Sequence, residues 1–361
     1  MFRLLTGTTT AILLMVTFAL PAEEGKRPIT PYGVLYAQWK AEAKSVDDAS
    51  ELSKAEKVDR KFQINSQYTT RFLKLAKEHS NDDLWLDCLI WISVEGVPGK
   101  DFDAMFDLLS DNAKTLKNTH QLQLLMSELI KLRSERLNSA LLKISDNHPD
   151  FGVRGAALFA FAALTKRDAE ENGDLQALAN AEKLLEKVIT EYPEVHTYRG
   201  KNSENATELL EDLRSPVAIM KTVPETKGKT IEGHEFDLHE TIRGKIAIIS
   251  FSGHWCGPCV AMHPVQKEIL NRFPRESVVI IEMNSDAEKS LEKVRNKIAA
   301  DGLEWTVVTD GSDGPASHQW RIMAWPTYFL VDAEGRIRRR FTGNRGHMLL
   351  SWVEELVGEN K

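Results

Sequence analysis

The spacing of apolar residues changes near Ser215-Pro216, and this change constrains the fold more than any other feature of the sequence. Across residues 31–214, apolar residues recur every three or four positions, which is the spacing of amphipathic helices. After this point they form short β-branched and aromatic runs with helical patterns between them, at residues 246–251, 278–281 and 327–331. This alternation predicts an α/β domain with a central mixed sheet and flanking helices over residues 216–361, preceded by an all-helical domain over residues 23–215.

Capping and breaking residues divide the helical region into separate helices. They occur at residues 81–83, 97–99, 147–150 and 172–174. Residues 175–193 and 202–213 resemble a tetratricopeptide-type helix pair, but no clean repeat period precedes them. We therefore expect an irregular helical layer. Two roles stay open for it: a structural or dimerising module without chemistry, and a surface that docks another protein.

The last part of the chain predicts a strand hairpin. Asp332-Ala333-Glu334-Gly335 is a tight turn that leads into a strand over residues 336–341. Three arginines of this strand would share one face and a fourth the other, which favours a solvated sheet edge. These arginines are Arg336, Arg338, Arg340 and, on the opposite face, Arg339. Helices are expected near residues 257–273, 288–300, 315–321 and 347–356.

Residues 1–22 have the layout of a secretory signal. A basic residue, Arg3, precedes an apolar stretch over residues 11–20, and an acidic pair follows Pro21-Ala22. The apolar stretch is shorter than the roughly 20 residues of a membrane-spanning helix, so we expect an exported protein of the periplasm or another extracytoplasmic compartment. Leu20 is large for a residue so close to a cut after Ala22, which leaves open an uncleaved signal that tethers the protein to the membrane.

Charge and cysteine content narrow the class of protein. The chain has 46 basic and 53 acidic residues and no long basic block, which argues against a nucleic-acid partner. Only three cysteines are present, so this is not a disulfide-stapled scaffold. Cys88 lies in a strongly apolar run over residues 84–91 and is expected in the core.

The other two cysteines form the motif Trp255-Cys256-Gly257-Pro258-Cys259, directly after a predicted buried strand. At the start of a helix, free N–H groups and the helix dipole stabilise a thiolate, which lowers the pKa of Cys256 below the free value of about 8.5. Cys259 falls on the same side of the first turn. It can therefore resolve a mixed disulfide that Cys256 has formed, leaving the two cysteines oxidised.

A metal site or a purely structural disulfide would also place two cysteines close together, but both fit this pair less well. A zinc site needs two further ligands, and the histidines of the chain are not spaced as ligands, so no metal is expected. A structural disulfide would close a loop so short that it restricts the unfolded chain very little. The redox-active pair itself is the only cofactor that the sequence predicts.

The motif and its surroundings resemble the thioredoxin-like oxidoreductases of the TlpA/ResA type. The resemblance covers residues 223–356 and rests on residues 251–259, on Pro264 and on a second signature, Trp325-Pro326-Thr327. It implies a thioredoxin-like fold, a cis-proline at Pro326 facing the cysteines, and a substrate-binding role for Trp255, Trp325 and Pro326. The alternative for Pro326 is a trans-proline that opens a strand.

Two acids expected from this resemblance are missing. Thioredoxins carry a buried Asp where this chain has Ser250, and many TlpA/ResA-type reductases carry a Glu where it has Met262. Glu282 follows four apolar residues of a predicted central strand, and burial would raise its pKa. We hypothesise that Glu282 accepts the proton of Cys259. The alternative, which the sequence favours, is that Glu282 lies at an exposed strand end and pairs with a lysine or arginine.

Three functions remain to be separated. The preferred one is an exported reductase of protein disulfides that a membrane thiol donor rereduces, because Gly257-Pro258 resembles the reducing members of the family. The second is a net oxidant or isomerase with the same chemistry. The third is a partner-binding helical scaffold in which the thioredoxin-like module is secondary.

Overall fold

The computed structural model of the protein describes residues 30–115, 119–197 and 200–359, so the signal predicted over residues 1–22 lies outside the described part of the chain. The first half consists of helices, as the apolar spacing predicted. These are α1 Pro31–Asp48, α2 Lys54–Glu78, α3 Leu84–Glu95, α4 Lys100–Asn112, α5 Thr119–Leu129, α6 Glu135–Asn147, α7 Phe151–Asn172, α8 Leu175–Glu191 and α9 Asn202–Leu213. Two short strands, β1 His196–Thr197 and β2 Gly200–Lys201, pair between α8 and α9 and were not expected.

The helices begin and end at the residues that the sequence marks as caps. The side chain of Asp150 accepts the N–H of Val153 at the start of α7, and Asp174 caps α8 in the same way. Gly173 ends α7 in the left-handed conformation, with φ of 68°. Helix α7 is buried on most of its surface because α5, α6 and α8 pack around it. Cys88 of α3 is a free thiol in the core, as predicted.

The second half is an α/β layer with a seven-stranded mixed sheet in the order β4-β3-β7-β6-β5-β8-β9. Strands β5, β6 and β7 are parallel, and the outer pairs are antiparallel. The strands are β3 Lys227–Thr230, β4 Glu235–Asp237, β5 Ile246–Ser252, β6 Val278–Asn284, β7 Thr306–Thr309, β8 Thr327–Val331 and β9 Ile337–Thr342. The three predicted apolar strands are confirmed as β5, β6 and β8, whereas β3 is polar and β7 has only two apolar residues, so neither was recognised.

Helices cover both faces of this sheet. They are α10 Leu238–Ile242, α11 Gly257–Val260, α12 His263–Arg272, α13 Leu291–Asp301, α14 Pro315–Gln319 and α15 Gly346–Glu359. One apolar cluster joins Ile248 and Ile280 to α12 and α15, and the other joins Ile249 and Phe251 to α10 and α14. Because successive strand residues point to opposite faces, continuous apolar strands supply both clusters. No helix among the described residues has the length and apolar character needed to cross a membrane.

The predicted solvated edge at β9 is wrong. Strand β9 is the last strand of the sheet, but α7 of the helical half packs along it. Arg339 and Arg340 do point to opposite faces, and each finds a carboxylate: Glu355 of α15 lies 2.6 Å from Arg339 and Asp212 of α9 lies 2.8 Å from Arg340. The arginines therefore pair inside interfaces instead of keeping the edge in solvent.

Candidate functional site

The two cysteines of the motif meet at the start of the helix that follows β5. Cys256 caps α11, and its Sγ accepts the backbone N–H of Cys259 at 3.2 Å. The two residues form a disulfide with their Cα atoms 5.2 Å apart. Both side chains are largely covered, Cys256 less so than Cys259. The predicted spacing thus brings the sulfurs into bonding contact.

The helix after the cysteines is interrupted, where the sequence predicted one continuous run over residues 257–273. Helix α11 ends at Val260 and α12 begins at His263. Pro264 has no N–H to donate to the carbonyl of Val260, four residues earlier, so the ladder breaks there. Met262, at the position where a Glu was expected from the resemblance, is fully buried in the apolar cluster beneath α12.

The Trp325-Pro326 segment lies at the same end of the sheet as the cysteines, which we call the redox end. Phe251 of β5 pairs with Thr327 of β8, so β5 ends where β8 begins. The Trp325-Pro326 peptide bond is cis, which confirms that expectation. The rings of Trp255 and Trp325 lie 5.8 Å apart in an edge-to-face arrangement.

Two large apolar side chains are exposed in the segments that carry the cysteines and Pro326. Trp255 is 57% exposed, and Met323, three residues before Pro326, is 89% exposed. A hydrogen bond fixes the indole ring of Trp325, whose Nε1 donates to Ser285 Oγ at 2.9 Å. Met323 was not predicted from the sequence, although a methionine two residues before a Trp-Pro pair was a visible signal. Large exposed apolar side chains grouped at one site are typical of a surface that binds a partner.

Glu282 is buried in the middle of the sheet, only 1% exposed, so the alternative of an exposed strand end is wrong. Trp305 Nε1 donates to Oε2 at 3.1 Å and Asn284 Nδ2 to Oε1 at 3.4 Å. No lysine or arginine of the described residues forms an ion pair with it within 4 Å. Burial raises the pKa of Glu282 above its ordinary value, and the two hydrogen bonds offset this only in part.

Glu282 shares one face of the sheet with Ser250 and Tyr328. Ser250 of β5 lies in register with Glu282 of β6 on one side and with Tyr328 of β8 on the other. Tyr328 belongs to the apolar cluster beneath α12, as does Met262. Burial, reinforced by the charge of Glu282, raises the pKa of Tyr328. The carboxyl group therefore lies on the sheet face that α12 covers, on the strand next to the one that leads to the cysteines.

A second polar group adjoins Glu282 and was missed from the sequence. His254 donates its backbone N–H to Asp286 Oδ2 at 2.8 Å, and its Nδ1 lies 3.4 Å from the same oxygen. Asn284 Nδ2 bridges the two acids, 2.9 Å from Asp286 and 3.4 Å from Glu282. Burial would raise the pKa of Asp286, but the hydrogen bonds from His254 and Asn284 outweigh it and lower that pKa. The signal for this group was the run of polar residues that ends β6.

His263 is the second histidine near the cysteines. Burial lowers its pKa to about 4, with a further contribution from the nearby His254, so it is neutral at pH 7. Its ring contacts Trp305, with 5.4 Å between ring centroids. Within the described residues, no group of three or more His, Cys, Asp and Glu side chains is arranged to hold a metal ion.

Comparison with known proteins assigns a family to the α/β half. Residues 219–340 match the model of the AhpC/TSA family. The thiol-disulfide oxidoreductase ResA of Geobacillus kaustophilus is 30% identical over 131 residues, which cover 36% of this chain and 72% of that protein. ResA of Bacillus subtilis is 29% identical over 133 residues, covering 37% of this chain and 69% of that protein.

Among solved structures, StoA from Bacillus subtilis aligns at 27% identity. The alignment covers 36% of this chain and 96% of that chain, with a TM-score of 0.31. Since the family model spans residues 219–340, the redox centre lies inside the matched region and the helical half lies outside it.

Proposed function

The chain belongs to the ResA family of thioredoxin-like thiol-disulfide oxidoreductases, and on that premise we propose that it reduces disulfides of exported proteins through Cys256 and Cys259. The enzyme performs dithiol-disulfide exchange. The observation that carries the proposal is the Cys256–Cys259 disulfide at a helix start, beside an exposed tryptophan. The Gly257-Pro258 pair between the cysteines supports the reducing direction, and the signal layout of residues 1–22 supports export.

The reaction divides two steps between the sulfurs. The Cys256 thiolate attacks one sulfur of the substrate disulfide, and the other substrate sulfur leaves as a thiolate that takes up a proton. Cys259 then loses its proton and attacks Cys256 Sγ. The mixed disulfide breaks, the first substrate sulfur leaves and is protonated, and Cys256–Cys259 becomes a disulfide. Two electrons pass to the substrate, and a thiol donor at the membrane returns them to the enzyme. The cycle uses no cofactor beyond this cysteine pair.

The apolar surface at the redox end suits a polypeptide substrate. Trp255, Met323 and Trp325 would contact apolar residues beside the substrate disulfide, and the segment at Pro326 would meet its backbone. A small disulfide has no such residues. We therefore expect the enzyme to favour polypeptide disulfides by KM.

Glu282 is our candidate for the proton acceptor of Cys259. A raised pKa brings its carboxyl group closer to the pKa of a thiol, which makes proton transfer between the two less uphill. It shares a sheet face with Ser250, where thioredoxins carry their own buried acid. Asn284 donates a hydrogen bond to Glu282 and another to Asp286, so it fixes the carboxyl group of Glu282 in place next to the His254–Asp286 pair.

Trapping tests the assignment of the two sulfurs. A Cys259→Ala variant keeps the attacking thiolate and should accumulate mixed disulfides with polypeptide substrates, whereas the matched Cys256→Ser variant should accumulate none. Non-reducing gels followed by mass spectrometry measure both. Equal trapping by the two variants contradicts the assignment. An equilibrium titration against glutathione then decides the direction, since a net oxidant would have a markedly less negative potential than a reductant.

A further inference from the structure

The helical half contacts the α/β half at the redox end, through acidic side chains on α7 and α9. Asp212 of α9 and Glu171 of α7 face three arginines: Arg321, Arg340 and Arg345. We call these five residues the interdomain clamp. Each acid is also bound to a cation of its own half, which fixes its position.

Asp212 holds the segment before Pro326. Its Oδ2 lies 2.8 Å from Lys166 Nζ and 2.8 Å from Arg340 Nη1, and its side chain is only 15% exposed. Its Oδ1 lies 3.4 Å from Nε of Arg321, five residues before Pro326. Arg340 also donates to the backbone carbonyl of Arg321 at 3.3 Å. The side chain of Arg321 therefore pairs with α9 directly, and its backbone is bound to Arg340, which itself pairs with Asp212.

Glu171 forms a longer ion pair with the segment that follows β9. Arg133 binds its two carboxylate oxygens, each at 2.6 Å, so the buried carboxylate is firmly oriented. Its Oε2 lies 3.6 Å from Nε of Arg345. Two residues before Arg345, the N–H of Gly343 donates to the carbonyl of Pro326 at 2.8 Å. Arg345, which contacts Glu171 of the helical half, is therefore only two residues from Gly343, which is hydrogen-bonded to Pro326.

Both tethered segments flank Pro326. Strand β8 begins at Thr327, and Thr327 pairs with Thr342 at the end of β9. The segment over residues 321–326 leads into β8, and the segment over residues 343–345 leaves β9 at the same end. The two sides of this contact are far apart in the sequence: Asp212 and Arg340 are separated by 128 residues.

We propose that the helical half positions the substrate-docking segment of the redox site, with Glu171 and Asp212 acting on it through Arg345 and Arg321. The inference rests on the proposed function in that Trp325 and Pro326 are taken to contact the substrate. A segment held in its bound conformation loses less freedom when a polypeptide binds, so the clamp lowers KM for polypeptide disulfides. The clamp residues are positioning residues, since none of them touches the reacting sulfurs.

Arg321→Gln and Arg345→Gln in the full chain test the proposal, because both arginines can be changed without stranding a buried acid: Asp212 keeps Lys166 and Arg340, and Glu171 keeps Arg133. Arg214→Gln is the matched control. Arg214 is exposed and pairs with Glu182 and Glu186 within the helical half. Hydrogen exchange followed by mass spectrometry reports on the amides of residues 321–325 and 343–345. KM is measured for a disulfide-linked peptide and for a small aromatic disulfide.

We expect exchange in both segments to become about threefold faster in each variant and about tenfold faster in the double variant, with no change in the control. KM for the peptide should rise by similar factors while kcat falls little, and Arg321→Lys should recover part of the loss because it keeps the charge. Unchanged exchange in the double variant overturns the clamp, whatever the activity. A wild-type enzyme that reduces neither disulfide would instead refute the proposed function, which the exchange measurement does not depend on.

Discussion

Replacing Asp212 with Asn should lower the free energy of unfolding by an amount that the structure allows us to work out. Burial alone would raise the pKa of Asp212, but Lys166 and Arg340 outweigh it and hold that pKa at about 2, against 3.8 in the unfolded chain. The difference of about 1.8 units corresponds to roughly 2.4 kcal/mol of stability at pH 7. Asn keeps the shape of the side chain but removes its negative charge from beside the buried cations Lys166 and Arg340, so the loss of stability should reach about 3 kcal/mol.

The dependence on pH has a definite sign. A carboxyl group whose pKa is lowered on folding contributes fully above its unfolded pKa, here 3.8, and the contribution disappears as pH falls through its folded pKa, here about 2. About 1.3 kcal/mol should remain at pH 3. The gap in stability between the wild type and Asp212→Asn should therefore be constant from pH 7 to 5 and should narrow below pH 4.

Urea unfolding, followed by far-ultraviolet circular dichroism and by tryptophan fluorescence, measures this gap. Asp107→Asn is the matched control, since Asp107 pairs with Arg136 at 2.7 Å on the exposed surface of the same half. Such a pair contributes roughly 0–1 kcal/mol. If Asp212→Asn costs no more than the control at pH 7, or if the gap fails to narrow as the solution is acidified, the ion pairs of Asp212 with Lys166 and Arg340 do not stabilise the folded chain as we argue.

Three further predictions concern separate parts of the molecule. Glu282→Gln should slow the resolution of mixed disulfides in a stopped assay and leave the first attack by Cys256 near normal, and adding Ser250→Asp should restore part of the rate of resolution. If Glu282→Gln resolves mixed disulfides at the wild-type rate from about pH 6 to 9, the acid does not have this role. Gly173→Ala should lower the free energy of unfolding by about 2 kcal/mol, since the φ of Gly173 is 68° and a Cβ there would lie 2.8 Å from a backbone carbonyl of β9. Gly302→Ala is the control: it also has a positive φ but open space around it, so it should cost only about 1 kcal/mol. Equal losses in the two variants would show that Gly173 is not packed against the sheet. Met323→Ser should raise KM for polypeptide disulfides about threefold without changing KM for a small disulfide, and an equal effect on both would exclude substrate contact by this side chain.

The redox centre could be predicted because its determinants are adjacent in the chain. A buried strand, a cysteine at a helix start and a second cysteine three residues on require no distant partner, and the structure joins Cys256 to Cys259 as expected. The strands predicted at residues 246–251, 278–281 and 327–331 were equally legible, since each is a short β-branched and aromatic run, and they correspond to β5, β6 and β8. The polar strand β3 and the four-residue strand β7 carried no such signal and depend on their neighbours for pairing.

The errors arose where a residue's surroundings come from a distant part of the chain. Arg340 reads as a surface residue because arginine is seldom buried, and only the approach of α9 with Asp212 gives it a partner. Glu282 reads as the exposed end of a strand because glutamate, like arginine, is seldom buried. Its burial depends on Trp305, 23 residues later, and on two further residues of β6 after it, which extend the strand beyond the apolar run. A buried polar group does need a partner, but Asp212 and Trp305 lie far from Arg340 and Glu282 in the sequence, so these partners could not be inferred from the neighbouring residues.

The sheet register explains why an acid at position 282 and the expected acid at position 250 are alternatives. Ser250 and Glu282 are in register on neighbouring parallel strands, so their backbones lie about 4.8 Å apart and their side chains share one face. Two carboxyl groups there would be buried like charges, which cannot both ionise at neutral pH. Ser250 instead carries a hydroxyl that donates to the carbonyl of Ile281 at 3.4 Å, so Glu282 is the acid of this pair. Met262 is apolar and fully buried, and so adds no second acid beneath α12. One carboxyl group with a raised pKa therefore occupies this sheet face, on the strand beside the one where thioredoxins carry it.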